Sequence, residues 1–260
     1  MEGIIELQIW QMAAAYFFLI ILLIIVRIRG ISREKEIIIA AFRMTLQLVM
    51  VGYLLVYLFE HVNPINTIIV IIIMETFAIY NIFKRTKEKI SDSLKVIIAI
   101  SMVFGTLSSL IYFLIVVVNI TPWYDPRYFI PIAGMLIGNS MTGISLAVSR
   151  LVDGMRSERD LVEAALMLGA TPKLASKEIV DKTFDSAILP TINSMVGMGI
   201  VFLPGMMTGQ ILSGLSPVIA IKYQIVIMLG IVGSVALTAI LFIQLGYKTF
   251  FNGENQLLID

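Results

Sequence analysis

The chain has 260 residues, 58% of them hydrophobic and 14% charged, with a mean hydropathy of +0.94 and a net charge of +1. Soluble domains carry about a quarter charged residues, so this composition excludes a water-soluble globular protein and identifies an integral membrane protein. Cysteine is absent, which excludes disulfides, thiolate metal sites and cysteine nucleophiles.

Seven membrane spans are predicted in chain order, at residues 7–26, 37–58, 65–83, 96–118, 129–148, 187–203 and 223–245, each near the ~20 residues a bilayer requires. The first has its basic flank after the apolar stretch, the reverse of a cleavable signal peptide, so no processing is expected. If the spans alternate, one side receives Arg27, Arg29, Arg33 and Lys35, then Lys84, Arg85, Lys87, Lys89 and Lys95, then Arg150, Arg156, Arg159, Lys173, Lys177 and Lys182, and finally Lys248. Of the 19 Lys and Arg residues only Arg43, Arg127 and Lys222 are left over. The positive-inside rule then puts the N-terminus outside and the C-terminus in the cytoplasm of a multi-pass inner (plasma) membrane protein. Outer loops are short, with Trp123, Tyr124 and Tyr128 suited to an interfacial belt. The expected fold is all-α and polytopic, a single permease-like domain over 1–260, its one substantial cytoplasmic element at 149–186.

That element is punctuated as two helices. Ser157 with Asp160 three residues on resembles a capping box. Leu161, Ala165 and Leu168 fall on one face, Gly169 is placed for a left-handed cap, and Thr171 with Pro172 opens the next helix. An interfacial connector lying on headgroups would have this pattern. The string "EAALMLGATPKLASKEI" carries more: Glu163, Ala164 and Ala165, three residues, Gly169, nine residues and Ile179 resemble the EAA loop of ABC-transporter permeases. In that loop a helix-turn-helix docks on the ATP-binding subunit. The family pattern continues to Leu-Pro, whereas this chain has Asp181-Lys182, its nearest such pair being Leu189-Pro190.

Read together, "PRYFIPIAGMLIGNSMTG", "EAALMLGATP", "LPGMMTGQILSG" and "YQIVIM" are similar, in order and spacing, to the Fet-type ABC permease family, associated with iron export in bacteria and, in plant half-transporters, with aluminium tolerance. The resemblance covers essentially the whole chain. It implies a permease without an ATPase of its own, a homodimer in the lipid bilayer paired with a separate ABC ATP-binding subunit, and coupling through Glu163, Ala164, Ala165 and Gly169. No G-x-x-x-x-G-K-[ST] loop occurs, so ATP and Mg are expected on the partner and no cofactor in this chain. Enzymatic chemistry is not expected, since the sole histidine is His61 in an outer loop, and no nucleic-acid partner is expected either.

Two charges fall within predicted spans, Arg43 and Glu75, at estimated depths of roughly 9 and 12 Å from the cytoplasmic face. They could form an ion pair joined by Gln47 one turn from Arg43. Alternatively, Glu75 is a cation or proton site, the one tentative metal ligand of the chain. An ATP-independent channel or ion-coupled carrier built on Arg43 and Glu75 is the alternative to an ABC permease. "GNSMTG" at 138–143 and "GMMTGQ" at 205–210 share Met-Thr-Gly. They read either as close helix packing or as the border of a translocation path, with Asn139, Ser140, Thr142, Thr208 and Gln210 offering polar atoms and Met141, Met206 and Met207 thioethers. Residues 186–221 carry no charge, and as one helix they would reach roughly 54 Å, nearly twice the ~30 Å of hydrocarbon. A break is therefore required. Pro204 and Gly205 are expected to end span six in a re-entrant turn or broken helix packed on span five and its dimer mate, where methionines gate the outer side.

Overall fold

A computed structural model describes residues 7–86 and 90–258; Lys87 and Lys89 of the basic loop lie outside them. Among the described residues the regular structure is helical, with two isolated β-bridges, and six helical stretches are long and apolar enough to cross a membrane. The chain divides into two compact units, Met1–His61 and Val62–Asp260.

In the first unit, α1 (Ile9–Ala15) and α2 (Phe17–Ile28) form one apolar stretch interrupted at Tyr16, and α3 (Glu34–Glu60) follows. Tyr16 and Thr45 share a hydrogen bond between hydroxyls. Most side chains of α2 and α3 are exposed, and only Val26 and Leu58 among them are fully buried. In a bilayer such surface is covered by lipid tails, which are as apolar as leucine.

The second unit holds α4 (Pro64–Arg85), α5 (Asp92–Tyr112) with a π-helical extension at Phe113–Val118, and α6 (Pro126–Ser157). Then come α7 (Arg159–Met167), α8 (Pro172–Ala175), α9 (Lys177–Gly197), α10 (Gly205–Leu212) and α11 (Pro217–Gly246). Local sequence sets many of these starts. Asn63, Asp125 and Thr171 each accept a backbone N–H of the first turn on their side chains, and each is followed by proline, whose missing N–H costs nothing there. Ser91 caps α5 in the same way.

α6 and α11 are the axis of this unit, packed against each other and against α5 and α9, with α4 on α6. Where α5 crosses α11, a Cβ on Gly105 would lie 2.7 Å from Thr238 Cα, so only glycine admits this approach. Thr67 Oγ1 donates to Tyr124 O at 3.0 Å, joining the start of α4 to the loop before α6. At the opposite end, a Cβ on Gly246 would sit 3.4 Å from both Leu94 and Leu151. The start of α5, the end of α6 and the end of α11 thus meet, and the helices alternate in direction. Arg85, Lys95, Arg150, Arg156 and Lys248 share that end, as the charge count over the sequence requires.

The expected sixth span is divided. α9 begins inside the charged segment at Lys177 and runs through Pro190 to Gly197, and it is not among the six long apolar helices. Gly199, at φ +85°, turns the chain, its N–H donating to Phe202 O at 3.0 Å. Pro204 and Gly205 do not end a helix; they begin one. Pro204 is the N-cap of α10 and Gly205 its first residue, because proline at a helix start loses no hydrogen bond. Nor is span five the chief neighbour: α10 packs on α11, as a four-residue connection at 213–216 makes two helices antiparallel neighbours.

Candidate functional site

The element between α6 and α9 is a helix-turn-helix at the basic end of the second unit. The expected Ser157 cap is not formed. Ser157 is the last residue of α6, its hydroxyl turned back to Gly154 O, and Glu158 occupies the N-cap of α7 without a capping hydrogen bond from its side chain. The turn itself has the expected chemistry. Gly169 takes φ +90°, a conformation that side chains with a Cβ rarely adopt, and Thr171 Oγ1 accepts from Leu174 N at 3.4 Å.

α7 turns a different face to its own chain from the one that carries Leu161 and Leu168. Val162 is buried and Leu166 is half-buried against the core, so this pair seats the helix. Leu161 and Leu168 instead point outward, and with Met167 and Leu174 they form an open apolar surface: Met167 is 85% and Leu168 90% exposed. Ala164 is exposed between them and Ala165 is half-buried. Glu163 is held by Arg159, Nε to Oε1 at 2.8 Å, which raises the guanidinium above its ordinary range. Lys182 ties the start of α7 to α9 by meeting Glu158 at 3.4 Å and Glu178 at 2.7 Å. Those bonds push the Lys182 ammonium up and the Glu178 carboxyl down.

The intramembrane polar residues are distributed over both units. Arg43, half-buried, and Gln47, exposed, lie one turn apart on α3 of the first unit. Glu75 belongs to the second, 5% exposed on α4, and its Oε1 is hydrogen-bonded by Thr106 of α5; among the described residues its Oε2 has no hydrogen-bond partner. Thr106 was not singled out from sequence. Nothing local marks it, since helical threonines ordinarily satisfy themselves on the preceding turn, as Thr106 also does on Met102 O at 2.7 Å. Among the described residues no group of three or more His, Asp or Glu could cage a metal ion.

Ser140 faces inward and bonds Ser234 Oγ at 3.0 Å across α6 and α11. Asn139 and Thr142 face outward on α6, their side chains bonded back to Met135 O at 2.7 Å and Gly138 O at 3.1 Å. Asn193, which the sequence reading passed over, is likewise exposed on α9. Met141 and Met206 are half-buried against the core, and Met207 is buried on α10. Thr208 Oγ1 donates to Pro204 O at 3.1 Å, while among the described residues buried oxygens of Gln210 and Gln224 lack hydrogen-bond partners.

Residues 9–251 match the family model described as "Uncharacterised protein family (UPF0014)". The chain belongs to the UPF0014 family. It is 35% identical over 224 residues to UPF0014 membrane protein YjkA of Bacillus subtilis, covering 86% of this chain and 88% of that one. It is 34% identical to the probable iron export permease protein FetB of Escherichia coli, over 87% of this chain and 85% of that one. Protein ALUMINUM SENSITIVE 3 of Arabidopsis thaliana is 35% identical, over 94% and 88%. No solved structure matches. Membership of UPF0014 thus spans both units and both Met-Thr-Gly segments, and the chain is a multi-pass membrane protein.

Proposed function

We propose that the chain is the membrane-spanning subunit of an ABC transporter that exports iron or another metal ion or complex, as a homodimer driven by separate ATP-binding subunits. The observation that carries this reading is the open apolar surface of Leu161, Met167, Leu168 and Leu174. α6 has 32 residues, roughly 48 Å of helix against ~30 Å of hydrocarbon, and its last turns carry Arg150, Asp153 and Arg156. The helix-turn-helix beyond it therefore lies at or beyond the headgroups, where four exposed large apolar side chains suit the groove of a protein partner. Arg159 and Glu163 supply a charged rim to that surface. The name of the Escherichia coli relative supports outward transport of iron, and the basic end of the bundle is the cytoplasmic side on the positive-inside count.

The homodimer is supported by Asn139, Thr142 and Asn193, polar side chains exposed on membrane helices that lipid would penalise and a second copy would cover. The chemistry of the path fits transient passage, not storage: Glu75 is a lone buried carboxylate, and Met141, Met206 and Met207 offer soft, weak ligands. Glu75, with one oxygen unpartnered, also favours the second reading, an ATP-independent channel or ion-coupled carrier.

The test is cellular metal content with and without the permease and an ATP-binding subunit, set beside a subunit unable to hydrolyse ATP. The ABC reading expects metal to accumulate when either protein is absent or hydrolysis is blocked. Export that persists without any ATP-binding subunit would overturn it in favour of the carrier.

A further inference from the structure

A cavity of about 350 Å³ opens at the basic end of the second unit, between the turn that begins α8 and the segment after α11. Its polar lining is Thr171 and Lys173 on one wall and Tyr247, Lys248, Asn252 and Asn255 on the other. Among the described residues no carboxylate lines it and neither lysine forms an ion pair. Two uncompensated ammonium groups on one concave surface attract an anion.

The second wall is preformed. Asn252 Oδ1 accepts Glu254 N at 2.9 Å and Gln256 N at 2.8 Å, and its Nδ2 donates to Gln256 Oε1 at 2.8 Å. Leu258 N closes the hairpin on Phe250 O at 2.7 Å. Asn252 is therefore occupied by the turn, whereas Asn255, held at φ +60°, makes no side-chain bond among the described residues and is available to a ligand. The first wall is fixed by the Thr171 cap of α8.

Position narrows the ligand. α11 is apolar up to Gly246, where Leu94 and Leu151 close around it, and Lys248 follows two residues later. The cavity thus lies where hydrocarbon gives way to headgroups, the level at which lysines meet lipid phosphates. Its volume is that of a small-molecule site, larger than a lone ion needs. We infer that this cavity is a phosphate site, gripped by Lys173 and Lys248, that takes the headgroup phosphate of an anionic lipid or a free phosphate of the same chemistry. A bound phosphate bridges the turn at Gly169–Lys173 to the end of α11, so the seating of the helix-turn-helix responds to what fills the cavity. The site itself does not depend on the transport reading.

The full chain in neutral maltoside detergent, at fixed ionic strength, is titrated calorimetrically with dihexanoyl-phosphatidylglycerol and, separately, with inorganic phosphate. Wild type saturates with at least one probe. Tighter binding of the lipid marks a headgroup site, and equal binding marks a site for the phosphate group alone. Each of Lys173→Gln and Lys248→Gln weakens binding about fivefold and the pair about 25-fold, while Lys248→Arg keeps it and Lys222→Gln, near the opposite end of α11, leaves it unchanged. Melting curves of all variants confirm folding. The inference is overturned if neither probe saturates the wild type, or if the folded double variant binds as wild type does.

Discussion

Truncating the exposed apolar surface of α7 separates docking from folding more sharply than any other change. Met167 and Leu168 are 85% and 90% exposed, so neither contributes appreciable burial to the chain itself, and surface substitutions of this kind change stability by within about 0.5 kcal/mol. Full burial of such a side chain is worth about 1.5–3 kcal/mol. If a partner covers both, Met167→Ala with Leu168→Ser removes up to about 4 kcal/mol of contact. Incomplete conversion of area into affinity leaves at least about a tenfold loss. Val162→Ala is the converse: Val162 is 2% exposed, and its truncation lowers stability by about 1–3 kcal/mol without touching the docking surface. Interferometry with immobilised ATP-binding subunit measures the first effect and thermal unfolding in detergent the second. An α7 double variant that binds within about twofold of wild type would refute the docking argument.

Gly105→Ala places a methyl group 2.7 Å from Thr238 Cα and lowers the melting temperature through about 1–3 kcal/mol of overpacking; Gly138→Ala, with nothing within 4 Å, does not. Gly169→Val cannot take φ +90° without strain, so membrane insertion persists while binding of the ATP-binding subunit falls in pull-down. Glu75→Gln keeps shape and removes charge: metal export is lost while the melting temperature holds, and a fall in melting temperature with export intact would make Glu75 structural instead. Single cysteines at positions 63 and 252 of this cysteine-free chain react with an impermeant maleimide from outside and from inside, respectively; the reverse pattern would invert the orientation.

Of the helix starts capped by a side chain, only Thr171-Pro172 was read from the sequence, although the chemistry of all four is local. Asn63-Pro64, Ser91, Asp125-Pro126 and Thr171-Pro172 each put a side-chain acceptor where free N–H groups need one. The left-handed Gly169 was legible as well, its chemistry being equally local. Pro204 misled because proline both stops a helix behind it and opens one ahead, and only the turn at Gly199 shows which applies. The face of α7 that its own chain covers, Val162 and Leu166, was not read from the sequence, because in so short a helix the apolar residues fit two faces. The bond from Thr106 to Glu75 joins residues 31 apart, and no pattern along the chain announces such a pair.

In a membrane protein the usual meaning of exposure is reversed. An outward-facing leucine on α3 needs no explanation, because lipid solvates it as well as a protein core would. An outward-facing amide does. Asn139 satisfies its nitrogen on Met135 O, which leaves the oxygen open, and the Asn193 side chain makes no bond among the described residues. Each unsatisfied polar group costs about 1–3 kcal/mol or more when removed from water without a partner. α6 and α9 pack together, so these amides and Thr142 belong to neighbouring helices of one layer. A single stray asparagine could be tolerated by tilting towards the headgroups. Two asparagines and a threonine on adjoining helices are better explained by a surface that meets water or another copy of the chain. The residues that matter for transport are therefore sought there, and at the unpartnered oxygen of Glu75, before the much larger apolar surface that faces lipid.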